Sequence, residues 1–378
     1  MKYVSRALKK INWFMVLCLA VILFYSVIFI MSAAFNIHKG DFSLYIYKQC
    51  IWIFAGLIVF LVTIQINYRL FHRYAYVLYA AGIIGMLIPF FFRPVKGTHS
   101  WMSFGLFSFQ PSEMMKVFYV IAMARFLENW QNRDTFTDLI NPFIITGIPF
   151  SIIILQPDLG TASVFLPVMF IMIFMAGVRL RYLAAAALMF ILICPLGLLA
   201  SNLSEKWFGK GLISPYQKER VTAFLDPEKE RLGVSYQSYQ SLAAIGSGKV
   251  LGRGLGNGQK TQFDQLPAKH TDFIISVIAE EGGFLAVVIL LAAFYGFLLS
   301  AFLTAHNAPD VFGRLVAVGI IGIISSQIII NVGVAVSLLP ITGITLPFVS
   351  YGGSSLLSSF FAIGVVMSVG KEKKPYFS

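Results

Sequence analysis

Apolar segments long enough to cross a lipid bilayer recur along nearly the whole chain, and this feature limits what it can fold into. Of 378 residues, 58% are hydrophobic and only 12% are charged, whereas a soluble domain is roughly 45–50% apolar. A helix needs about 20 apolar residues to span the hydrocarbon core. Because no stretch has the composition of a separate soluble domain, the sequence predicts one membrane domain over residues 1–378.

The apolar segments, divided at polar and helix-breaking residues, predict an all-α polytopic membrane protein with about ten transmembrane helices. The first segment is predicted to be a span rather than a cleaved signal peptide, because it is too long and lacks a convincing cleavage site. The predicted spans are Trp13–Ala33, Cys50–Ile66, Tyr74–Phe92, Ser112–Phe126, Ile140–Leu155, Gly160–Val178, Tyr182–Ala200, Phe273–Leu303, Leu315–Leu339 and Gly353–Val369.

The Lys and Arg residues of the short connecting segments predict the orientation, since positive side chains are retained on the cytoplasmic side. With the N-terminus inside, fourteen lie in inner segments: Lys2, Arg6, Lys9, Lys10, Arg69, Arg73, Arg125, Arg133, Arg179, Arg181, Arg314, Lys371, Lys373 and Lys374. Four lie in outer segments: Lys39, Lys48, Arg93 and Lys96. Both termini are therefore predicted to be cytoplasmic, with a large extracytoplasmic loop, residues 201–271, between the seventh and eighth spans.

The net charge of +12 does not indicate nucleic-acid binding, because the charges lie between apolar segments rather than on one face of a soluble fold. The three cysteines lack CxxC spacing, so we interpret them as packing residues. The glycine run Gly252–Gly258 lacks the strand and helix context of a nucleotide-binding loop. None of these features predicts a soluble binding module.

Ionisable residues near the ends of the spans are the candidates for function, because each is costly in a membrane. Glu113 and Lys116 are three residues apart and share a helix face, where they can form a pair near the outer interface. Asp158 lies at the break between two spans. It could cap the following helix or point into an outer cavity.

The densest polar cluster precedes the eighth predicted span. Lys269, His270 and Asp272 lie immediately before it, and Glu280 and Glu281 lie two turns inside it. Asp272 could be the N-cap of this helix or part of a site beneath the long loop. The segment Leu338–Ser355, rich in Gly and Pro, could be irregular backbone that lines a cavity or a tight outer turn.

The chain resembles the SEDS family (shape, elongation, division and sporulation), the peptidoglycan polymerases of bacterial inner membranes. Five stretches carry the resemblance: GTHSWMSFGLFSFQPSEMMK from Gly97, QPDLGT from Gln156, Tyr236–Gly258, LPAKHTDFIISVIAEE from Leu266, and Asn331–Ser355. The sequences of these stretches look more like those of the RodA branch of elongation than those of the FtsW branch of division. Ser100-Trp101 stands where the family usually has Arg-Trp, so the role of that arginine is not carried over.

The resemblance implies a glycosyltransferase that extends glycan from lipid II on the outer face of the membrane. Asp272 is implied to be the base that accepts the proton of the attacking hydroxyl. Lys116 is implied to stabilise the pyrophosphate, while Glu113 and Asp158 hold the cations or a divalent ion, Mg or Mn, in place. The other candidate substrate-binding or supporting residues are Lys48, Lys96, Trp101, Lys269, His270, Ser350 and Ser354.

The resemblance also implies partners, namely a class B penicillin-binding protein that acts as transpeptidase and the rest of the elongation machinery. The residues leave two alternatives open. The chain could be a lipid II flippase, which needs polar residues through the depth of the bundle, or a non-catalytic scaffold for a transpeptidase. The candidate charges cluster at the outer edge instead, as a polymerase acting on that face requires.

Overall fold

The computed structural model describes residues 12–34, 43–93, 98–103, 108–130, 135–189, 215–226 and 233–372. Its helices are α1 (Trp13–Ala34), α2 (Ser43–Gln65), α3 (Tyr68–Arg73), α4 (Ala75–Leu87), α5 (Pro111–Glu128), α6 (Ile140–Leu155), α7 (Leu159–Met175), α8 (Leu180–Met189), α9 (Pro215–Leu225), α10 (Val234–Gly248), α11 (Gln259–Gln262), α12 (Ile274–His306), α13 (Val311–Ala335) and α14 (Gly353–Lys371). Short 3₁₀ turns follow α4 (Ile88–Phe91) and precede α6 (Phe136–Leu139). Strands β1 (Met102–Ser103) and β2 (Ser108–Phe109) pair antiparallel.

A helix occupies nine of the ten positions where the sequence predicts a span, and the described part of the seventh, residues 182–189, is helical as well, while residues 190–200 lie outside the described ranges. In the described ranges, six helical segments are long and apolar enough to cross a membrane, and three more are apolar but shorter. The chain is therefore a multi-pass membrane protein. The number of spans and their orientation stay predictions. Helix α2 begins seven residues before its predicted span, and it thus includes aromatic and polar residues in its first turns.

Helices α13 and α14 form the centre of the bundle. In the most apolar stretch of each helix, 72% of the residues of α13 and 78% of those of α14 are buried, against 22% for α2 at the periphery. Helix α13 contacts α5, α7, α12 and α14. Small residues permit this close packing: a methyl group at Gly319 of α13 would collide with Val120 of α5. The central helices therefore fix the relative positions of the elements that carry the polar residues.

Helix α12 is interrupted at Gly283, whose φ of 71° favours glycine. The interruption frees the carbonyls of Glu280 and Glu281, which accept from the backbone amides of Arg253 and Gly254 at 3.0 and 2.9 Å. Two amides beyond the interruption bond to carbonyls of the same loop. The loop with the glycine run thus packs against α12, and these four backbone groups at the interruption find partners in it.

The described part of the predicted long loop contains three helices, α9, α10 and α11. Helix α10 is joined to the bundle through Ser241, whose hydroxyl lies 2.7 Å from that of Ser276 and donates to the carbonyl of Ala335 at 2.6 Å. Helix α11 is held by the Glu280 carboxylate, which accepts from the amide and hydroxyl of Thr261 at 3.0 and 2.8 Å. Glu280 therefore has a structural role, since its carboxylate holds α11 against α12.

Candidate active site

A cavity of about 340 Å³ lies at the end of the bundle where four helices begin. Gln110 precedes α5, Asp158 precedes α7, Asp272 lies two residues before α12 and Gly352 precedes α14, and all four line the cavity. Helix N-termini carry partial positive charge, and the lining adds two cations, Lys116 and Arg220, beside the carboxylates of Glu113, Asp158 and Asp272. The other lining residues are Thr98, Trp101, Glu113, Lys116, Pro157, Leu159, Thr161, Val164, Arg220, Gln237, Ala268, Thr271, Gln327, Thr342, Gly343, Ile344, Thr345, Tyr351 and Ser355.

Asp272 lines the cavity from the turn that precedes α12. The helix begins at Ile274 and its N-cap residue is Phe273, so the interpretation of Asp272 as the N-cap is wrong. The turn is closed by the amides of Thr271 and Phe273, which donate to the carbonyl of Ala268 at 3.1 and 3.4 Å. The backbone of this turn therefore places Asp272 at the cavity.

The segment between α13 and α14 forms one wall of the cavity, so it lines a cavity rather than forming a tight turn. Ser350 supports this wall: its hydroxyl accepts from the amide of Leu346 at 2.8 Å and donates to the carbonyl of Thr271 at 2.6 Å. The hydroxyl of Ser354 accepts from the amide of Gln110 at 3.0 Å. Both predicted serines thus join the elements around the cavity instead of lining it.

Glu113 and Lys116 form the predicted ion pair, with 2.8 Å between Oε1 and Nζ. They are 7% and 3% exposed. The hydroxyl of Ser358 on α14 also lies within hydrogen-bond distance of Oε2 of Glu113, at 3.3 Å. Because both charged side chains line the cavity, the pair presents a cation and an anion to anything bound there.

Asp158 fulfils both predicted roles, as N-cap of α7 and as part of the cavity wall. Its carboxylate accepts from the amide of Thr161 at 3.1 Å, from the hydroxyl of Thr161 at 2.9 Å and from the side-chain amide of Gln110 at 2.8 Å. Burial raises the pKa of this carboxyl, the bonds from Thr161 oppose the rise, and the nearby charge of Glu113 adds to it. The carboxylate is therefore held in place at an electrostatic cost.

Three of the predicted basic residues do not line the cavity in the described structure. Lys269 is buried and pairs with Asp264 at 2.6 Å, and it donates to the carbonyl of Thr261 at 2.7 Å. The ring of His270 stacks on Tyr45 with 4.7 Å between centroids. Lys48 lies half-buried in α2. The fourth, Lys96, lies outside the described residues.

Trp101 lines the cavity, as predicted for a substrate-binding side chain. Its neighbour Ser100 is buried, and the hydroxyl donates to the carbonyl of Gln156 at 3.3 Å. The serine that replaces the family arginine therefore fastens this loop to the break between α6 and α7.

The sequence reasoning missed Arg220, the second basic residue of the cavity. It lies on α9, and its guanidinium donates to the carbonyl of Ile341 at 3.1 Å. A Cβ atom on Gly343 would lie 3.6 Å from Nη1 of Arg220 and 3.7 Å from Oδ2 of Asp272, so both groups face the same strip of backbone. The sequence signal for Arg220 is weak: it lies in a basic helix six residues before the Asp-Pro pair at 226–227.

The residues that the resemblance offers as metal ligands do not form a ligand cluster in the described ranges. No three His, Cys, Asp or Glu side chains come together there as a metal site. The carboxylate of Glu113 already pairs with Lys116, and that of Asp158 accepts from Gln110 and Thr161.

Comparisons with known proteins agree over almost the full length. Stage V sporulation protein E of Bacillus subtilis is 37% identical over 348 residues, which cover 90% of this chain and 91% of that protein. The peptidoglycan glycosyltransferase MrdB of Escherichia coli K12 is 33% identical, over 95% of this chain and 93% of its own. A solved structure of a peptidoglycan synthase complex, described as coordinating polymerization and crosslinking, matches with a TM-score of 0.79 and 28% identity, covering 97% of this chain and 99% of that one.

The model of the cell cycle protein family that takes in FtsW, RodA and SpoVE matches residues 12–375 of the chain. This range holds every helix around the cavity, and it includes all the residues that the resemblance singled out. The chain belongs to this family, the SEDS family.

Proposed function

We propose that the protein is a peptidoglycan glycosyltransferase that polymerises lipid II into glycan strands on the outer face of the bacterial cytoplasmic membrane. One observation carries the proposal: Asp272, Lys116 and Arg220 line a single cavity at the N-terminal ends of four helices. A glycosyl transfer onto a hydroxyl with a pyrophosphate leaving group needs a base and a set of positive groups. The cavity supplies both, in a family whose relatives include named peptidoglycan glycosyltransferases.

Asp272 acts as the general base in this proposal. The 4-hydroxyl of GlcNAc on one lipid II attacks the anomeric carbon of the lipid-linked MurNAc of the growing chain. The new glycosidic bond forms as the bond between that carbon and the pyrophosphate oxygen breaks, and the carboxylate of Asp272 takes the hydroxyl proton. A positioned base contributes typically 10²–10⁴-fold to such a rate.

The leaving pyrophosphate is stabilised by Lys116, Arg220 and the helix N-termini. Groups fixed before the reaction and aimed at developing charge stabilise a transition state without reorganising. Glu113 holds the Lys116 ammonium at 2.8 Å, and Asp158 fixes the start of α7 through Thr161. The cavity volume is at the lower end of the roughly 300–1,000 Å³ usual for ligand sites. It accommodates the reacting groups, while the lipid tails lie between helices in the bilayer.

The orientation that this function requires is the one predicted from the Lys and Arg bias, with both termini cytoplasmic and the cavity outside. The chemistry then takes place where lipid II is exposed after its transfer across the membrane. The supporting fact is the placement of the described candidate charges Glu113, Lys116 and Asp272 at one end of the bundle.

Within the family, the proposal assigns the chain to cell elongation and shape maintenance, together with a class B penicillin-binding protein and the elongation machinery. The resemblance of the AKHTDFIISVIAEE segment supports the elongation role, and the likeness to a synthase complex that couples polymerization to crosslinking supports a cross-linking partner. Rescue of rod shape in a RodA-depleted bacterium tests the role. Rescue of division or sporulation alone would move the chain to the FtsW or SpoVE branch.

The test of the activity is a purified-protein assay in liposomes that contain lipid II. The proposal expects glycan strands of increasing length and the release of undecaprenyl pyrophosphate. Translocation of a fluorescent lipid II without any glycan would establish the flippase. If neither activity is seen but a co-reconstituted transpeptidase is stimulated, the protein is a scaffold.

A further inference from the structure

The turn that carries Asp272 is held by three consecutive backbone carbonyls, which accept from the α13–α14 connection and from the end of α13. The carbonyl of His270 accepts from the amide of Tyr351 at 2.8 Å. The carbonyl of Thr271 accepts from the hydroxyl of Ser350 at 2.6 Å, and the carbonyl of Asp272 accepts from Nδ2 of Asn331 at 2.9 Å. Together with the bonds within the turn, these three bonds hold the backbone of Asp272 against the cavity wall.

Asn331 is the most buried of the three donors. It lies in the last turns of α13 and is 1% exposed. Its second amide hydrogen is donated to the carbonyl of Ile344 at 2.8 Å. One NH₂ group therefore joins the backbone of Asp272 to the backbone of the opposite cavity wall.

The orientation of this amide is fixed by its surroundings. A flip of the side chain would bring Oδ1 against two carbonyl oxygens, which cannot donate to it, so only the NH₂ group fits between them. In the structure Oδ1 is buried without a hydrogen-bond partner. The side chain therefore gives up one acceptor in order to hold two carbonyls, which is typical of a group that is kept for positioning.

We propose that Asn331 is a positioning residue that sets the place of Asp272 relative to the Gly343–Ile344 wall of the cavity. The inference rests on the function proposed above. Removal of the NH₂ group releases the carbonyls of Asp272 and Ile344 together, and a base displaced by about 1 Å can lose on the order of 10²-fold in rate. Lipid II binding depends on other groups of the cavity, so the effect falls on kcat rather than KM.

The test compares Asn331→Asp and Asn331→Leu with the parent protein in proteoliposomes. Asn331→Asp keeps the shape of the side chain but places carboxylate oxygens against the two carbonyls, and Asn331→Leu removes both donors. We expect kcat to fall by about 10- to 100-fold per folded molecule in both, with KM changed by less than about twofold. Ser325→Ala is the matched control, because that hydroxyl, on the same helix, donates only to Gly322 at 3.2 Å.

Hydrogen exchange of the peptide over residues 268–275 provides a readout that does not need activity. We expect faster exchange there in both Asn331 variants and parental exchange in Ser325→Ala. Unchanged exchange, or a parental kcat per folded molecule, overturns the inference. A parent protein that makes no glycan overturns the proposed function instead, and the exchange measurement then still decides whether Asn331 holds the turn.

Discussion

The Glu113–Lys116 pair allows a quantitative prediction, because both partners are nearly excluded from water. At 2.8 Å and an effective dielectric constant of about 20, the attraction between two unit charges is about 6 kcal/mol. Desolvation of the two ions offsets much of this gain, so the net value of the pair is small. Removal of one partner, however, leaves an uncompensated buried charge, which typically costs 3–5 kcal/mol.

We expect Lys116→Met and Glu113→Gln each to lower the free energy of unfolding by about 3 kcal/mol, at the low end of that range, since both side chains border the cavity. The double variant removes both charges, and we expect it to lose about 1 kcal/mol or less. Unfolding in mixed detergent micelles measures all four proteins of this cycle. The account also expects the stable double variant to make little glycan, since the ammonium is missing.

Single losses below about 1 kcal/mol that simply add in the double variant would show that the two charges are not coupled. The premise of a buried pair would then be wrong. Near-parental polymerisation by the double variant would leave the pair intact as a structural feature but would move the pyrophosphate role to Arg220.

Three other predictions follow from the cavity and the topology. Burial raises the folded-state pKa of Asp158 above its usual 3.8, so ionisation of this carboxyl favours unfolding. As the pH rises from about 4 through the raised pKa, the parent should therefore lose stability relative to Asp158→Asn, and the melting temperature of the variant minus that of the parent should increase. Gly343 has a φ of 81°, which strains any other residue, and it lies beside the Asp272 carboxylate, so Gly343→Ala should lower turnover by about tenfold. Gly147→Ala, with open space around it, should not lower turnover, and equal activities of the two variants would contradict the strain argument. In a cysteine-free background, an impermeant maleimide should label Gln265→Cys from outside but not Asn307→Cys, and the reverse result would invert the topology.

The features that the sequence predicts correctly depend on local spacing. Apolar segments predict helices at the span positions that the structure describes, because burial in lipid needs little long-range information. The spacing of three between Glu113 and Lys116 predicted their pairing, since residues that far apart on a helix are neighbours. Asp158 follows the same logic, because a helix after a break needs a cap.

The features that the sequence did not reveal depend on contacts between distant segments. Arg220 reaches the cavity only because α9 lies beside the α13–α14 connection, where it bonds to Ile341. Lys269 was predicted to face the substrate, but Asp264 and the carbonyl of Thr261 already hold its ammonium group. The start of α12 is shifted past Asp272, whose turn is fixed from other segments. No local pattern contains these interactions.

The central claim, that Asp272 is the base, is tested most directly by the rate of lipid II polymerisation by Asp272→Asn in proteoliposomes. The substitution keeps the size of the side chain, but an amide cannot accept the hydroxyl proton near neutral pH. The account predicts a variant that inserts, purifies and binds lipid II normally and polymerises it 10²–10⁴-fold more slowly, or not detectably. Polymerisation close to the parental rate would contradict it and would show that the proton goes elsewhere.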